Sequence, residues 1–149
     1  MKLTERLDMD LKAAMKARDE MRLGVLRMLK SDLRYKQIEL GHELSDDETV
    51  AVLGTAVKKR REAIGEYDRG GRQDLSSSEK AELDIISLYL PKQLSPDELN
   101  ELIDKAVTES GATTIKDIGA VMKILMPEIR GRADGKAVNA SVRARLEGK

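Results

Sequence analysis

The sequence predicts an all-α fold, an N-terminal helical bundle followed by a small three-helix C-terminal domain. Three observations carry that expectation. Apolar residues recur at spacings of three and four along most of the chain. No stretch alternates with period two for long enough to argue a strand. Helix-boundary chemistry, namely Ser-x-x-Glu boxes and glycines, interrupts the pattern at intervals of helix length.

The elements follow in order. Leu3, Leu7, Leu11 and Met15 repeat at i+4 and predict a first helix over residues 2–17. A second helix over residues 19–40 buries Val25, Leu26, Leu29 and Leu33, and Gly41-His42 breaks it. Ser45 with Glu48 forms a capping box for a third helix to about Arg69, with Val50, Leu53, Val57 and Ile64 inward. Gly70-Gly71 stops it, and residues 70–78 read as a polar loop whose three serines offer caps. A fourth helix runs from about Ser78 to Leu90, ended by Pro91. The segment 91–95 divides an N-terminal domain (1–91) from a C-terminal one (95–149). Ser95-Pro-Asp-Glu98 opens a fifth helix with a capping box and Pro at its first position; Leu99, Leu102, Ile103 and Ala106 face inward. Gly111 ends it and Thr114 starts the sixth helix, whose stripe is Ile115, Ile118, Val121, Met122 and Leu125. Pro127 is expected to end or kink that helix near Met126. Asp134 caps a last helix that presents Val138, Val142 and Leu146. No internal repeat is present.

Composition narrows the function classes. Cysteine is absent, which excludes disulfides, thiolate metal sites and cysteine nucleophiles. No apolar run reaches the roughly 18–20 residues of a membrane span, and the first residues lack a signal-peptide core, so a cytoplasmic protein is expected. Net charge is zero but unevenly spread, at −1 over residues 1–90, −3 over 91–111 and +4 over 112–149. A basic end of this kind favours nucleic-acid partners. With no Phe, no Trp and only three Tyr, stacking platforms for single strands are scarce, so any contact is expected to be to phosphate and shape.

Candidate chemistry is sparse. His42 is the one histidine and reads as an exposed turn residue. Asp46, Asp47 and Glu48 suit a helix N-terminus better than a metal. The serines at 76–78 have no nucleophile elbow around them, and no phosphate-binding loop or dinucleotide fingerprint occurs. Lys58-Lys-Arg-Arg61 sits mid-helix, where consecutive residues point about 100° apart. It reads as a solvated face, with an auxiliary RNA contact as the sharper alternative. No catalytic residue, metal site or cofactor is assigned.

The stretch from Asp117 to Leu146 is different, because its charges converge. Arg130, Arg132, Lys136, Arg143 and Arg145 crowd one helical hairpin. Lys136 and Arg143 fall about 20° apart on the helical wheel, away from the apolar stripe. Arginine's fork suits phosphate oxygens. Gly131 and Gly135 let a backbone approach closely.

Ile118-Gly-Ala-Val-Met122, Gly131-Arg-Ala-Asp-Gly-Lys-Ala-Val-Asn139 and Tyr89-Leu-Pro-Lys-Gln-Leu94, with Leu26-Arg-Met-Leu-Lys-Ser-Asp-Leu33, resemble the YqeY family. Its members are freestanding relatives of the tail domain of the B subunit of the bacterial tRNA-dependent amidotransferase. The resemblance covers nearly the whole chain and implies a helical bundle followed by a tail-like domain that contacts tRNA. Carried over, it puts RNA contact at Lys123, Arg130, Arg132 and Lys136, which Arg143 joins through the convergence of charge. It gives Gly119 a helix-packing role and gives Gly131 and Gly135 the shaping of the turn. The family label, carbon–nitrogen ligation with glutamine as amide donor, implies chemistry run within a complex, not by this chain. The expected partners are tRNA and a protein of tRNA aminoacylation or amidation. A protein-interaction adaptor is the alternative.

Overall fold

The structure, a computed structural model, describes residues 1–148. Among them lie seven α-helices and one 3-10 turn, with no strand. The helices are α1 (Leu3–Ala17), α2 (Glu20–Leu40), α3 (Asp46–Arg69), α4 (Gln73–Ser87), α5 (Pro96–Ser110), α6 (Ile118–Ile129) and α7 (Gly135–Glu147). They form two compact units, Met1–Leu90 and a second that begins at Pro91.

In the first unit α3 and α4 pack along most of their length, and α2 lies against both and against α1. Leu26, Leu29, Leu53 and Ile86 are almost wholly buried at its centre, joined by Leu44 from the α2–α3 connection. Burial of an aliphatic side chain contributes about 1.5–3 kcal/mol. Caps set the boundaries. Glu48 N–H donates to the Ser45 hydroxyl (3.1 Å) and Ser45 N–H to the Glu48 carboxylate (3.0 Å). The Ser45 N–H first, with the Ser45 hydroxyl and the nearby His42 and Lys36 adding to it, holds the Glu48 carboxyl below its ordinary range. Asp46, the first residue of α3, accepts from Leu3 N–H at the start of α1 (3.0 Å), which ties the starts of the two helices together.

Several expectations need correction. In α1 the buried residue of the last turn is Ala14, and Met15 is 50% exposed. Strict i+4 spacing drifts about 40° per step, so Met15 lies roughly 120° from Leu3 while Ala14 returns to within about 20°. In α3, Leu53 and Val57 are buried as expected, whereas Val50 and Ile64 are half-buried. The loop expected over residues 70–78 is only three residues long. Gly71, with φ 71°, makes the turn, and α4 begins at Gln73, so all three serines are helical. Ser76 is fully buried; its small side chain suits the close packing of α4 on α3. The helix ends at Ser87, and residues 88–90 continue with tighter i to i−3 bonds that turn Tyr89 into the core.

Arg60 also departs from the solvated-face reading. It is buried, donating to the Ala56 carbonyl (3.2 Å) and the Met28 sulfur (2.9 Å), with its Nε 3.5 Å from Glu82. Lys59 and Arg61 do point to solvent.

In the second unit α5 packs on α6 and α6 on α7. Val121, Leu125 and Ile129 of α6 meet Ile103, Ala106 and Val107 of α5 and Val138, Val142 and Leu146 of α7. A 3-10 turn (Ile115–Asp117) precedes α6, because Asp117 accepts from Thr113 N–H (2.9 Å) and Thr114 N–H (3.1 Å) and tightens the entry. Those two bonds hold its carboxyl below the usual range. Pro127 does not end α6, which runs to Ile129. The ring removes one backbone bond, to the Lys123 carbonyl, but Ile129 continues the stripe of Val121 and Leu125 and is 1% exposed.

Tyr89 gives a pH test of the first unit. It is buried, its hydroxyl donates to Asp10 (2.5 Å), and Arg6 lies 4.7 Å above its ring. Burial, then the Asp10 bond, pushes the phenol up to about 12. The unfolded chain loses this proton near pH 10, so the folded state binds more protons between about 10 and 12 and stability falls as pH rises through that window. Urea midpoints measured across this window should fall more steeply for the native protein than for Tyr89→Phe. Equal slopes would remove Tyr89 as the titrating group.

Candidate nucleic-acid interface

The basic hairpin is built around the turn between α6 and α7. Arg130 ends α6, and its N–H donates to the Met126 carbonyl (3.1 Å). Gly131 then takes φ 73°, a conformation that costs a side-chain-bearing residue about 1–2 kcal/mol. Arg132 and Ala133 N–H both return to the Ile129 carbonyl, at 2.8 and 3.1 Å. Asp134 caps α7, its carboxylate accepting from Lys136 N–H (3.2 Å).

A distant segment pins this turn. Leu94 N–H donates to the Arg132 carbonyl (2.9 Å), and the Gln93 side-chain amide donates to the Gly131 carbonyl (2.7 Å). In return, the Arg132 Nε donates to the Lys92 carbonyl (3.1 Å), and its Nη1 donates to the Glu128 carbonyl (3.3 Å). Two stretches noted separately in the sequence thus meet in space, the one holding residues 92–94 and the one opening at Gly131.

The candidate residues divide accordingly. Lys123, Arg130, Lys136 and Arg143 are exposed. Arg132 is half-buried, and its guanidinium holds two backbone carbonyls, so it positions the turn. Arg145 pairs with Asp104 of α5. Among the described residues, Lys123, Lys136 and Arg143 have no carboxylate partner. Lys123 and Arg130 are seven residues apart, as are Lys136 and Arg143. Two turns of α7 place Lys136 and Arg143 on one side, about 10 Å apart along the axis, while Arg130 stands just past the last turn of α6. Nearby negative charge comes from Glu98, whose carboxyl is held below its usual range by the Ser95 N–H and hydroxyl, with Lys92 and Arg132 adding attraction.

The three glycines are not equivalent. Gly131 needs its positive φ. A Cβ at Gly119 or Gly135 would meet nothing within 4 Å. Gly119 is exposed in α6, not at a helix contact, and Gly135 is the first residue of α7 with an ordinary φ.

Elsewhere, His42 is exposed, with Nδ1 2.9 Å from the Glu43 carbonyl and Nε2 3.5 Å from Glu48. Asp46 and Glu48 act as caps. No group of His, Asp and Glu suited to a metal ion occurs among the described residues.

The turn makes contrasting demands on substitution. Arg132→Ala should cost about 1–2 kcal/mol through its lost hydrogen bonds, and Gly131→Ala a similar amount through φ. Gly119→Ala should be neutral or stabilising by up to about 1 kcal/mol. Denaturant melts would check all three, and equal effects at the two glycines would contradict this account of the turn.

A family profile described as Yqey-like protein matches residues 4–146. The Saccharomyces cerevisiae protein named "Altered inheritance of mitochondria protein 41, mitochondrial" is 30% identical over 130 residues, covering 87% of this chain and 69% of its own. The Vanderwaltozyma polyspora protein of that name is 28% identical over 119 residues, covering 75% of this chain and 64% of its own. The Pyrenophora tritici-repentis protein is 26% identical over 130 residues, covering 86% and 71%. The chain thus spans less than two thirds of the Vanderwaltozyma protein's length. These relatives are mitochondrial by name, a different compartment from the cytoplasm expected here. No helix among the described residues is long and apolar enough to cross a membrane. The profile extends from the first turn of α1 to the last turn of α7, and the chain belongs to the YqeY family.

Proposed function

We propose that this YqeY-family chain is a tRNA-binding accessory protein that does no chemistry of its own and grips the phosphate backbone with the α6–α7 hairpin. The observation that carries the reading is the paired spacing of exposed cations, Lys123 with Arg130 and Lys136 with Arg143, on either side of a turn held by long-range hydrogen bonds. A pinned turn presents these charges in a fixed arrangement, so less order is lost on binding. Phosphate is the matching ligand. The chain has no Phe or Trp for base stacking, and cations two helical turns apart can engage separate phosphates. The similarity to an amidotransferase tail domain favours tRNA among RNAs. It also favours a protein partner in tRNA aminoacylation or amidation, with carbon–nitrogen ligation left to that partner. The setting in this reading is the cytoplasm.

The test removes charge without touching the turn. Lys136→Glu with Arg143→Glu should weaken binding to bulk tRNA more than tenfold at about 50 mM salt. The salt dependence of log affinity should become shallower by roughly 1.5–2 units, as expected for two lost phosphate contacts. Filter binding at about 50 and about 200 mM salt measures both quantities. An unchanged affinity and slope would exclude this hairpin as the RNA site.

A further inference from the structure

The first unit carries a basic surface that the RNA reading does not use. On the outer face of α2, Arg27, Lys30, Arg34 and Ile38 follow one another at spacings of three and four. This face walls a cleft of about 750 Å³ whose other sides are the first turns of α1 and residues 41–43. Leu7 and Leu33 form an apolar floor. Ile38 stands at the rim, 70% exposed.

The charges in the cleft are partly spent on one another. Lys30 holds Asp8 at 2.9 Å, and Glu43 is held by Lys2 at 3.1 Å. Arg27 and Arg34 are exposed and have no carboxylate partner among the described residues. They are two turns apart on one side of α2, about 10 Å along the axis. Single exposed apolar residues or arginines are ordinary on a surface. Two arginines without carboxylates beside an apolar-floored cleft are a more specific combination.

We propose that this cleft seats an acidic amphipathic helix of a protein partner. Its apolar residues would rest on Leu7, Leu33 and Ile38, and its carboxylates would meet Arg27 and Arg34. Charge complementarity selects an acidic occupant. The apolar floor selects a helix over nucleic acid, because a phosphate backbone gains nothing from apolar contact and no Phe, Tyr or Trp lines the cleft to stack a base. Helices that dock in grooves use anchors at i, i+3, i+4 and i+7, the same periodicity that α2 offers. Asp8 and Glu43 on the opposite rim disfavour a segment that is acidic on all sides, so the partner helix must be two-faced.

The probe is a fluorescein-labelled synthetic peptide of about four helical turns, with Leu along one stripe and Glu flanking it. A second version carries Gln for each Glu, and a third scrambles the order. Anisotropy with the full-length protein should give at least about tenfold tighter binding for the patterned peptide than for either control. Arg27→Glu with Arg34→Glu should lose that preference, keep its helical circular dichroism and keep its tRNA binding. A peptide with Lys for each Glu should regain binding to that variant, which mere damage to the cleft would not allow. Ile38→Asp should weaken the patterned peptide alone. Failure of the patterned peptide to bind, equal binding of all three peptides, or loss of tRNA binding in the double variant would each overturn the proposal. The last outcome would hand these arginines to RNA.

Discussion

The hydrogen bonds between residues 92–94 and the turn at Gly131 and Arg132 govern the second unit. Without them the turn would rest on one positive-φ glycine and on local bonds among its own neighbours. With them the start of the unit is tied to the middle of its last hairpin, across a sequence separation of 38 to 40 residues. Such closure is costly in chain entropy, and the apolar contacts of α5, α6 and α7 offset it. The result is that α6 enters the turn and α7 leaves it in a set relation, which also sets the relation of Lys123 and Arg130 to Lys136 and Arg143. Arg132 has more to do with shape than with charge here, because its half-buried guanidinium is held in place by Nε and Nη1 bonds to two backbone carbonyls.

A second constraint is compositional. With no Phe and no Trp, both cores are filled by Leu, Ile, Val and Ala, with Tyr89 the one buried aromatic among the described residues. Aliphatic side chains are short, so helices must run close and present unbroken stripes. That is why the stripes were so legible. Val25, Leu26, Leu29 and Leu33 of α2 are all buried, as are Val138, Val142 and Leu146 of α7. Legibility failed where the stripe was drawn with the wrong period, as at Met15. Residue type is a poor sign of exposure at Ser76, Arg60 and the polar start of α4, where polar side chains face the packed interior or begin a helix.

What the sequence concealed has a common cause. Arg60 meets Met28 across 32 residues, Leu3 meets Asp46 across 43, and Tyr89 meets Asp10 across 79. Periodicity and capping signals act within a few turns of helix, so they place a residue on a face but cannot name the partner across it. The basic hairpin was readable as a run of charges because its members are close in the chain. Which charges are exposed and which serve the fold depended on residues 92–94 and on Asp104, and only the folded structure brings those into place.

Charge counting therefore needs a second step in this protein. Arginine serves as a buried ion partner at position 60, a turn clamp at 132, a tie to α5 at 145 and a cover for an aromatic ring at 6. None of these is available on equal terms to a ligand. Two of the pairs of exposed cations, Lys136 with Arg143 and Arg27 with Arg34, differ in what lies between them. Between Lys136 and Arg143 the exposed face of α7 offers Ala140, a methyl group with no depth behind it. Beside Arg27 and Arg34 lies an apolar cleft floored by Leu7 and Leu33. The first setting suits a ligand whose binding energy is nearly all electrostatic, and it should respond strongly to salt. The second suits a ligand that removes apolar surface from water as well as neutralising charge, so salt should weaken it less. If both proposals hold, two positive surfaces on one small chain would select different partners through the apolar area that accompanies each, not through the sign of their charge.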